Sequence, residues 1–466
     1  MILPDFVSEY QRLFNAIRKV VPSSMKFYLV GGAVRDILLG RKIRDFDFCV
    51  EGLVRPIGKH IANELGGAYY VLDDEREMVR VIIDDDQMGQ FDIDIAQFSG
   101  DGIEDDLRGR DFTLNAMAIE ISEPPLFFDP LNGYEDLQQR NLRMCSQDSL
   151  VNDPMRALRA IRMSLEFDLT MDETLLFAMK DVPSRLSDSS MERYRDEMFK
   201  IIRLYQNGKA FQLYEKFGFL DHLFPDCNPS GKIIDTNWIE NTDRFALLLT
   251  VKNYSNEAAD DFSAFAASRL GNFREALRAF FDKTIALYHT RRMLTVFAAI
   301  ARTLTDDRNA AEKWCSRLAF SSSEMNFADS AVGSFDHLRT NANTASYNDV
   351  DIYRFFRQFK EGGIAGLILF LSYEFEEQNV PQAYKNWCEK VVFVQDFISA
   401  YFTRYMDVIA PKPLLSGHDI QELLNVPAGP IIGFVKNALI EAQIRGSVRT
   451  TDEADSFVRQ YAKYSV

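Results

Sequence analysis

Residues 28–48, YLVGGAVRDILLGRKIRDFDF, constrain this chain more than any other stretch. An apolar strand runs into Gly31-Gly32, a short helix carrying Arg35 and Asp36 follows, and a second strand sets Asp45 and Asp47 two residues apart. Side chains alternate along a strand, so both carboxylates share one face. A Gly-Gly turn ahead of a helix offers bare backbone N–H groups to a phosphate, and two convergent carboxylates suit a divalent cation. Each half alone is ordinary, because D-x-D on a strand is usually a solvated face and Gly-Gly usually a turn. Their order carries the reading: a site for Mg²⁺ and a nucleoside triphosphate.

A third carboxylate is then required. Residues 90–100, QFDIDIAQFSG, alternate in the strand manner, with Asp92 and Asp94 on one face and Ile93 and Ile95 on the other. Either acid could complete the cluster. Further on stand EDDLRGRDFTLNAMA (104–118), DPLNGYEDL (129–137), NDPMRALRAIR (152–162) and SMERYRDEMFKII (190–202). In the third of these segments Asp153 precedes Pro154 at a helix start, and Asp153, Arg156 and Arg159 follow one another along one helix face. A plain i, i+3 salt bridge would read the same way. In the last, Met191, Tyr194, Met198, Ile201 and Ile202 make an apolar stripe.

In this order the segments resemble the motifs of the nucleotidyltransferase family that contains the CCA-adding tRNA enzymes, their CC-adding and A-adding relatives, and bacterial poly(A) polymerase. The resemblance implies an α+β fold: a polymerase-β-like head with a small mixed sheet, followed by an all-helical neck, body and tail. The corresponding boundaries are 1–138, 139–210, 211–410 and 411–466. It implies a two-Mg²⁺ site on Asp45, Asp47 and, by the family's strand ending, Asp94. Gly31, Gly32, Arg35 and Asp36 would cradle the triphosphate. Arg110, Asp111 and Asn115 would contact ribose and phosphates, an arginine fork being a natural phosphate partner. The family usually has Arg-Arg-Asp there; this chain has Gly109 before Arg110, with Arg108 as a substitute charge. Asp129, Gly133 and Asp136 would mark the hinge after the head. Asp153 and Arg156 would read the base edge, with Arg159 one turn on and Asn152 in place of the usual Glu. Glu192, Arg193 and Glu197 would brace that helix.

The resemblance returns at 413–454, where Gly417, Asp419, Gly429, Pro430, Gly433 and Gly446 stand as in the family's tail and His418 replaces a basic residue. Lys436, Arg445 and Arg449 are the candidate RNA contacts there. The implied reaction adds CMP or AMP to a tRNA 3′ end from CTP or ATP. Full CCA addition is preferred to A addition alone and to poly(A) synthesis, CC addition remains open, and an inactive RNA-binding homologue is the reading from another class. A loop within 71–90, carrying Asp73, Asp74, Glu75, Arg76 and Glu77, would act on the base-reading pair.

Many relatives have a metal-dependent HD phosphohydrolase domain in the middle region. The matching stretch here, 292–307, lacks a His-Asp pair, and His289 and His337 are scattered, so no HD active site is expected. The rest of the chain reads as helical, with long segments at 211–224, 272–304, 350–376 and 382–407 and loops at 251–264 and 337–350.

The net charge of −16 is unexpected for an RNA binder. It is unevenly spread: residues 138–210 carry 12 Lys/Arg against 11 Asp/Glu, whereas 1–128 carry 14 against 23. Modest, salt-sensitive RNA affinity on body and tail follows. Five separated cysteines without CxxC spacing imply neither zinc nor a disulfide framework. The first 26 residues read as an amphipathic helix rather than a signal peptide, and no apolar run would span a bilayer, so a cytosolic enzyme is expected. The 37 Phe are read as core packing.

Overall fold

A computed structural model describes residues 10–22, 24–75, 77–85, 89–188, 190–204, 207–225, 235–250, 261–286, 289–305, 307–341, 347–375 and 381–465. The chain divides into two compact units, 1–197 with 216–222, and 198–215 with 223–466.

The first unit opens with the amphipathic α1 (Gln11–Val20), whose Leu13, Phe14 and Ile17 are buried. There follow β1 (Phe27–Val30), α2 (Gly32–Leu38), β2 (Asp45–Val50), α3 (Val54–Leu65), β3 (Ala68–Asp73), β4 (Met78–Asp85), β5 (Gly89–Gln97), α4 (Ile103–Arg108), β6 (Ala118–Glu120) and β7 (Leu126–Phe128). The seven strands form one sheet in the order β3-β4-β5-β2-β1-β6-β7. Only β2 and β5 pair in parallel, which requires a crossover; α3 and the β3–β4 hairpin supply it. This is the small mixed sheet that the motifs imply.

Alternation sorts the faces. Phe46 and Phe48 of β2, Val79 and Val81 of β4, and Ile93 and Ile95 of β5 are buried in one cluster with α1, α2 and α3. Their neighbours turn to the other face, where Tyr28, Val30 and Cys49 pack with Ile103 and Leu107 of α4. On that second face the register sets Asp45 opposite Asp92, Asp47 opposite Asp94, and Arg80 opposite Asp94.

Downstream lie α5 (Gly133–Gln138), β8 (Asn141–Leu142), α6 (Ser149–Asn152), α7 (Met155–Glu166), β9 (Thr170–Met171), α8 (Glu173–Ala178) and α9 (Met191–Ile202). Pro154 stands just ahead of α7 rather than inside it, and the Met155 N–H donates to Asp153 Oδ1 at 3.1 Å.

The remaining elements are α10 (Asn207–Lys216), α11 (Phe219–Leu223), α12 (Thr236–Thr250), α13 (Asp261–Leu270), α14 (Arg274–Asp282), β10 (Thr284–Ala286), β11 (His289–Thr290), α15 (Arg291–Leu304), α16 (Arg308–Arg317), α17 (Ser322–Asn341), α18 (Asp349–Phe359), α19 (Gly362–Tyr373), α20 (Pro381–Thr403), α21 (Gly417–Leu424), α22 (Pro430–Ile444) and α23 (Thr451–Ser465).

Several expected helices prove divided. The segment 272–304 is interrupted by the β10–β11 pair; β-branched Thr284 and Ile285 favour extended backbone, and Thr290 caps the fresh start of α15 through its side chain. The segment 350–376 breaks at Lys360, which adopts a positive φ of 46°. Of the expected loop at 251–264, residues 251–260 lie outside the described residues and 261–264 begin α13. Of 337–350, residues 342–346 lie outside them; 337–341 close α17, and Asn348 opens α18 with a capping box.

The core of the second unit is a close crossing of α17 and α19. Gly362 and Gly366 lie against Ser330 and Ser334, and a Cβ on Gly366 would overlap the Ser334 side chain. Arg292 of α15 reaches Asp243 of α12 at 2.7 Å, with the carboxylate almost fully buried. His289 is buried, hydrogen-bonded to Glu324 at 2.5 Å and stacked on Phe199. Helices α21–α23 close over a cluster of their own, built on Ile420, Val435, Leu439, Ala454 and Val458. Most phenylalanines are core; Phe177 and Phe434 are notable exceptions. Among the described residues no helix is long and apolar enough to cross a membrane.

Candidate active site

All of the expected catalytic and nucleotide-binding residues fall in the first unit, on and around the polar face of the sheet. Gly31 takes φ +72°, a conformation that L side chains rarely adopt. A Cβ there would stand 2.9 Å from the Arg110 guanidinium and 3.4 Å from Asp47 Oδ2, so the bare backbone lets the first and second motifs converge.

Asp45 is exposed and Asp47 half-buried. Burial pushes the Asp47 carboxyl up to about 6, reinforced by Asp94 and opposed by Arg110, with Asp45 adding a smaller push. Such a concentration of like charge is what a divalent cation relieves, and Asp45 with Asp47 suits Mg²⁺, which typically takes one or two carboxylates and completes its shell with phosphate and water. The donor set therefore fits the metal.

Asp94 is placed otherwise than a simple triad implies. Both of its oxygens are held by Arg80, at 2.7 Å from Nε and from Nη2, and Arg80 Nη1 also reaches Asp92 at 3.4 Å. Among the described residues no three His, Cys, Asp or Glu side chains form a cluster that could hold a metal ion. Each Asp94 oxygen accepts one bond from Arg80 and keeps a second lone pair, so Asp94 can join Asp45 and Asp47 while still paired with Arg80. Arg80 was not among the expected site residues. Its signal was in the strand pattern: a cation between buried Val79 and Val81, on a strand beside D-I-D.

The second motif is a hydrogen-bonded chain. Arg35 donates to Asp36 Oδ1 at 2.9 Å and to Asn115 Oδ1 at 2.7 Å. The Asn115 amide donates to Asp111 Oδ1 at 3.1 Å, and Asp111 Oδ2 pairs with Arg159 at 2.7 Å. One relay thus links α2, the second motif and α7. Arg110 is held by Asp106 at 2.9 Å and hydrogen-bonds the Cys49 thiol at 3.5 Å; Asp106 is a further residue that sequence reasoning passed over.

Asp153 and Arg156 are not paired with each other. Asp153 Oδ2 meets Arg193 at 2.7 Å, whereas Arg156 donates to the carbonyls of Gly109 and Arg110 at 2.9 and 3.1 Å and to Ser149 Oγ at 2.9 Å. The plain i, i+3 bridge is therefore not the arrangement found. α9 braces α7 through Arg193–Asp153 and through Glu197, 2.5 Å from Arg162 Nε. The third motif is structural: Asp129 accepts the N–H groups of Gly133 and Tyr134, Asp136 accepts from Thr113 and pairs with Arg143, and a Cβ on Gly133 would overlap the Thr113 carbonyl.

The hairpin within 71–90 is β3, a tip at 74–77, and β4; Arg76 and 86–88 lie outside the described residues. Asp74 at the tip is taken by Arg55 at 2.5 Å. In the second unit, Lys436 is on α22; Arg445 lies 3.5 Å from Glu441, which Arg354 already holds at 2.6 Å, and Arg449 Nε donates to the Gly446 carbonyl.

Residues 27–143 match the family described as "Poly A polymerase head domain", and residues 168–230 the one described as "Probable RNA and SrmB- binding site of polymerase A". A CC-adding tRNA nucleotidyltransferase of Synechocystis sp. is 26% identical over 93% of this chain and 93% of its own length. An A-adding tRNA nucleotidyltransferase of Deinococcus radiodurans is 28% identical over 93% of this chain and 95% of its own. Among solved structures, a CCA-adding enzyme in an apo form superposes with a TM-score of 0.67 at 21% identity, covering 98% of this chain and 94% of that one. The Thermotoga maritima CCA-adding enzyme complexed with tRNA_CCA gives 0.60 at 20% identity, covering 98% and 96%. The converging motifs, the matched head and relatives similar over nearly their whole length lead to one assignment: residues 27–143 form a poly(A) polymerase head domain, in a chain similar over more than nine-tenths of its length to tRNA nucleotidyltransferases.

Proposed function

We propose that this protein is a template-independent RNA nucleotidyltransferase that adds CMP or AMP to the 3′ end of tRNA and releases pyrophosphate. The observation that carries the reading is the convergence of Asp45, Asp47, Gly31 and Arg110 on one sheet face. Gly31 and Gly32 offer bare backbone N–H groups to phosphate, Arg35 and Arg110 would meet its charge, and Asp45 and Asp47 would hold Mg²⁺, with Asp94, paired with Arg80, as a further ligand. When bound, the Mg²⁺ ions lower the pKa of the RNA 3′-hydroxyl and offset charge at the α-phosphate and the leaving pyrophosphate. Asp153 and Arg156 select the base, and Lys436, Arg445 and Arg449 contact RNA. The assigned parts are a head at 1–138, a neck at 139–210, a body at 211–410 and a tail at 411–466.

A division of labour is the second reading. Three relatives similar over more than nine-tenths of this chain are CC-adding or A-adding proteins, which favours a partial reaction over full CCA addition. The deciding assay offers labelled CTP and ATP separately to tRNA ending before C, after C and after CC. Incorporation on one acceptor only identifies a CC-adding or A-adding enzyme; C and then A on successive acceptors identifies CCA addition; long A tracts identify poly(A) synthesis. No incorporation on any acceptor, with Mg²⁺ present, leaves the inactive homologue.

A further inference from the structure

Two cations of the first motif meet on one ring. The Arg35 guanidinium lies 4.1 Å from the centroid of Phe167, at the end of α7, and the Arg41 guanidinium lies 4.5 Å from the same centroid. The backbone sends Arg41 there. Gly40 adopts φ +65°, its N–H donates to the Ile37 carbonyl at 3.0 Å, and the Arg41 N–H donates to the Asp36 carbonyl at 2.8 Å. These are the two bonds of a Schellman turn, which folds the chain leaving α2 back along the helix.

The charges on the ring do not balance. Arg35 has Asp36 and Asn115 as partners, whereas among the described residues the Arg41 side chain meets only the ring. Arg35 is thus paired with a carboxylate and Arg41 is not, and a ring attracts a cation without neutralising it. Lys42 and Arg44 are exposed in the next residues, just ahead of Asp45. Arg41, exposed and on the ring beside the first motif, is the group that an arriving anion would meet.

We propose that Phe167 is a positioning residue that fixes both Arg35 and Arg41 on its ring, so that Arg41 adds an anion contact for the terminal phosphates of the nucleoside triphosphate. This rests on the nucleotidyltransferase reading for its ligand, but its geometry stands on the ring and the turn. Arg41 is then a third phosphate-binding arginine beside Arg35 and Arg110, and the helix that carries Arg156 also ends on the ring that fixes where the triphosphate lies.

The test uses the full chain with Phe167→Leu, Phe167→Tyr and Arg41→Gln. Triphosphate KM and kcat are measured in RNA extension, and tripolyphosphate binding is measured by calorimetry without RNA. Phe167→Leu and Arg41→Gln should each raise KM about tenfold, lower kcat far less, and weaken tripolyphosphate in proportion, while Phe167→Tyr, which keeps the ring, stays near wild type. Unchanged KM and unchanged tripolyphosphate affinity in Arg41→Gln, an exposed position with little bearing on folding, would overturn the proposal, as would Phe167→Tyr behaving like Phe167→Leu. The two readings fail separately. A wild-type protein that extends no RNA but binds tripolyphosphate through Arg41 defeats the transferase reading alone; an active wild type indifferent to Arg41→Gln defeats the subsite alone.

Discussion

At the scale of single residues the polar sheet face is a balance of charges, and each member has a separable role. Asp45→Ala or Asp47→Ala should abolish nucleotide addition while RNA affinity stays nearly intact, since a metal ligand is lost and no RNA contact is; near-normal turnover in either variant, measured beside RNA binding, would defeat the metal assignment. Arg80 is the counterweight. Its hydrogen bonds to Asp94 raise its own pKa, and a separate ion pair at 3.4 Å sets its charge against Asp92 as well. Arg80→Gln should therefore lower the melting temperature of the metal-free protein and enlarge the rise that Mg²⁺ produces, because more uncompensated charge awaits the cation. An equal Mg²⁺-induced rise in wild type and variant would show that Arg80 does not compete with the metal.

At the scale of elements, α7 is tied to the second motif through Arg159–Asp111 and through the Arg156 bonds to the Gly109 and Arg110 carbonyls. If Asp153 and Arg156 read the base edge, alanine at either should lower the ratio of correct to incorrect nucleotides, UTP and GTP included, more than it weakens triphosphate binding; each buried base-edge bond is worth about 1–3 kcal/mol. A uniform loss of activity at constant ratio would reduce the pair to struts. A second element pair carries a pH dependence. Burial pushes Asp243 up to about 6 against the pull of Arg292, whereas its ordinary value is 3.8. The unfolded chain releases that proton first, so between those values the folded form holds more protons, and this residue's contribution to stability falls as pH rises through the window. Asp243→Asn should remove that slope, read as the difference between wild-type and variant urea midpoints from about pH 4 to 6; parallel midpoints would refute it. These elements also mark what the sequence could reveal. Strand alternation exposed Asp45, Asp47, Asp92 and Asp94 because period two is written in the residue types. The partners of Arg156 were hidden, since they are main-chain carbonyls of Gly109 and Arg110 and leave no trace in composition. The β10–β11 interruption was hidden too, because its apolar residues also fit a helical spacing.

At the scale of the whole molecule, a chain with net charge −16 must bind RNA through local clusters rather than through its overall field. The tail cations are unequal in this respect. Glu441 already faces both Arg354 and Arg445, so Arg445→Ala should alter RNA affinity little. Lys436→Ala and Arg449→Ala should each reduce the slope of log affinity against log salt by about 1. Equal slopes in all three variants would move the RNA contact elsewhere. The parallel pairing of β2 with β5 has a bearing on how such a chain can vary. The carboxylates meet through strand phase, and phase is blind to the length of what lies between. Residues added at the 74–77 tip lengthen a hairpin and leave the pairing of Asp47 with Asp94 untouched. One residue added inside β5 between Phe91 and Asp92 would turn both acids into the apolar layer and bring Ile93 and Ile95 out to the polar face. Between the first motif and the second, the chain is thus free in length and bound in parity.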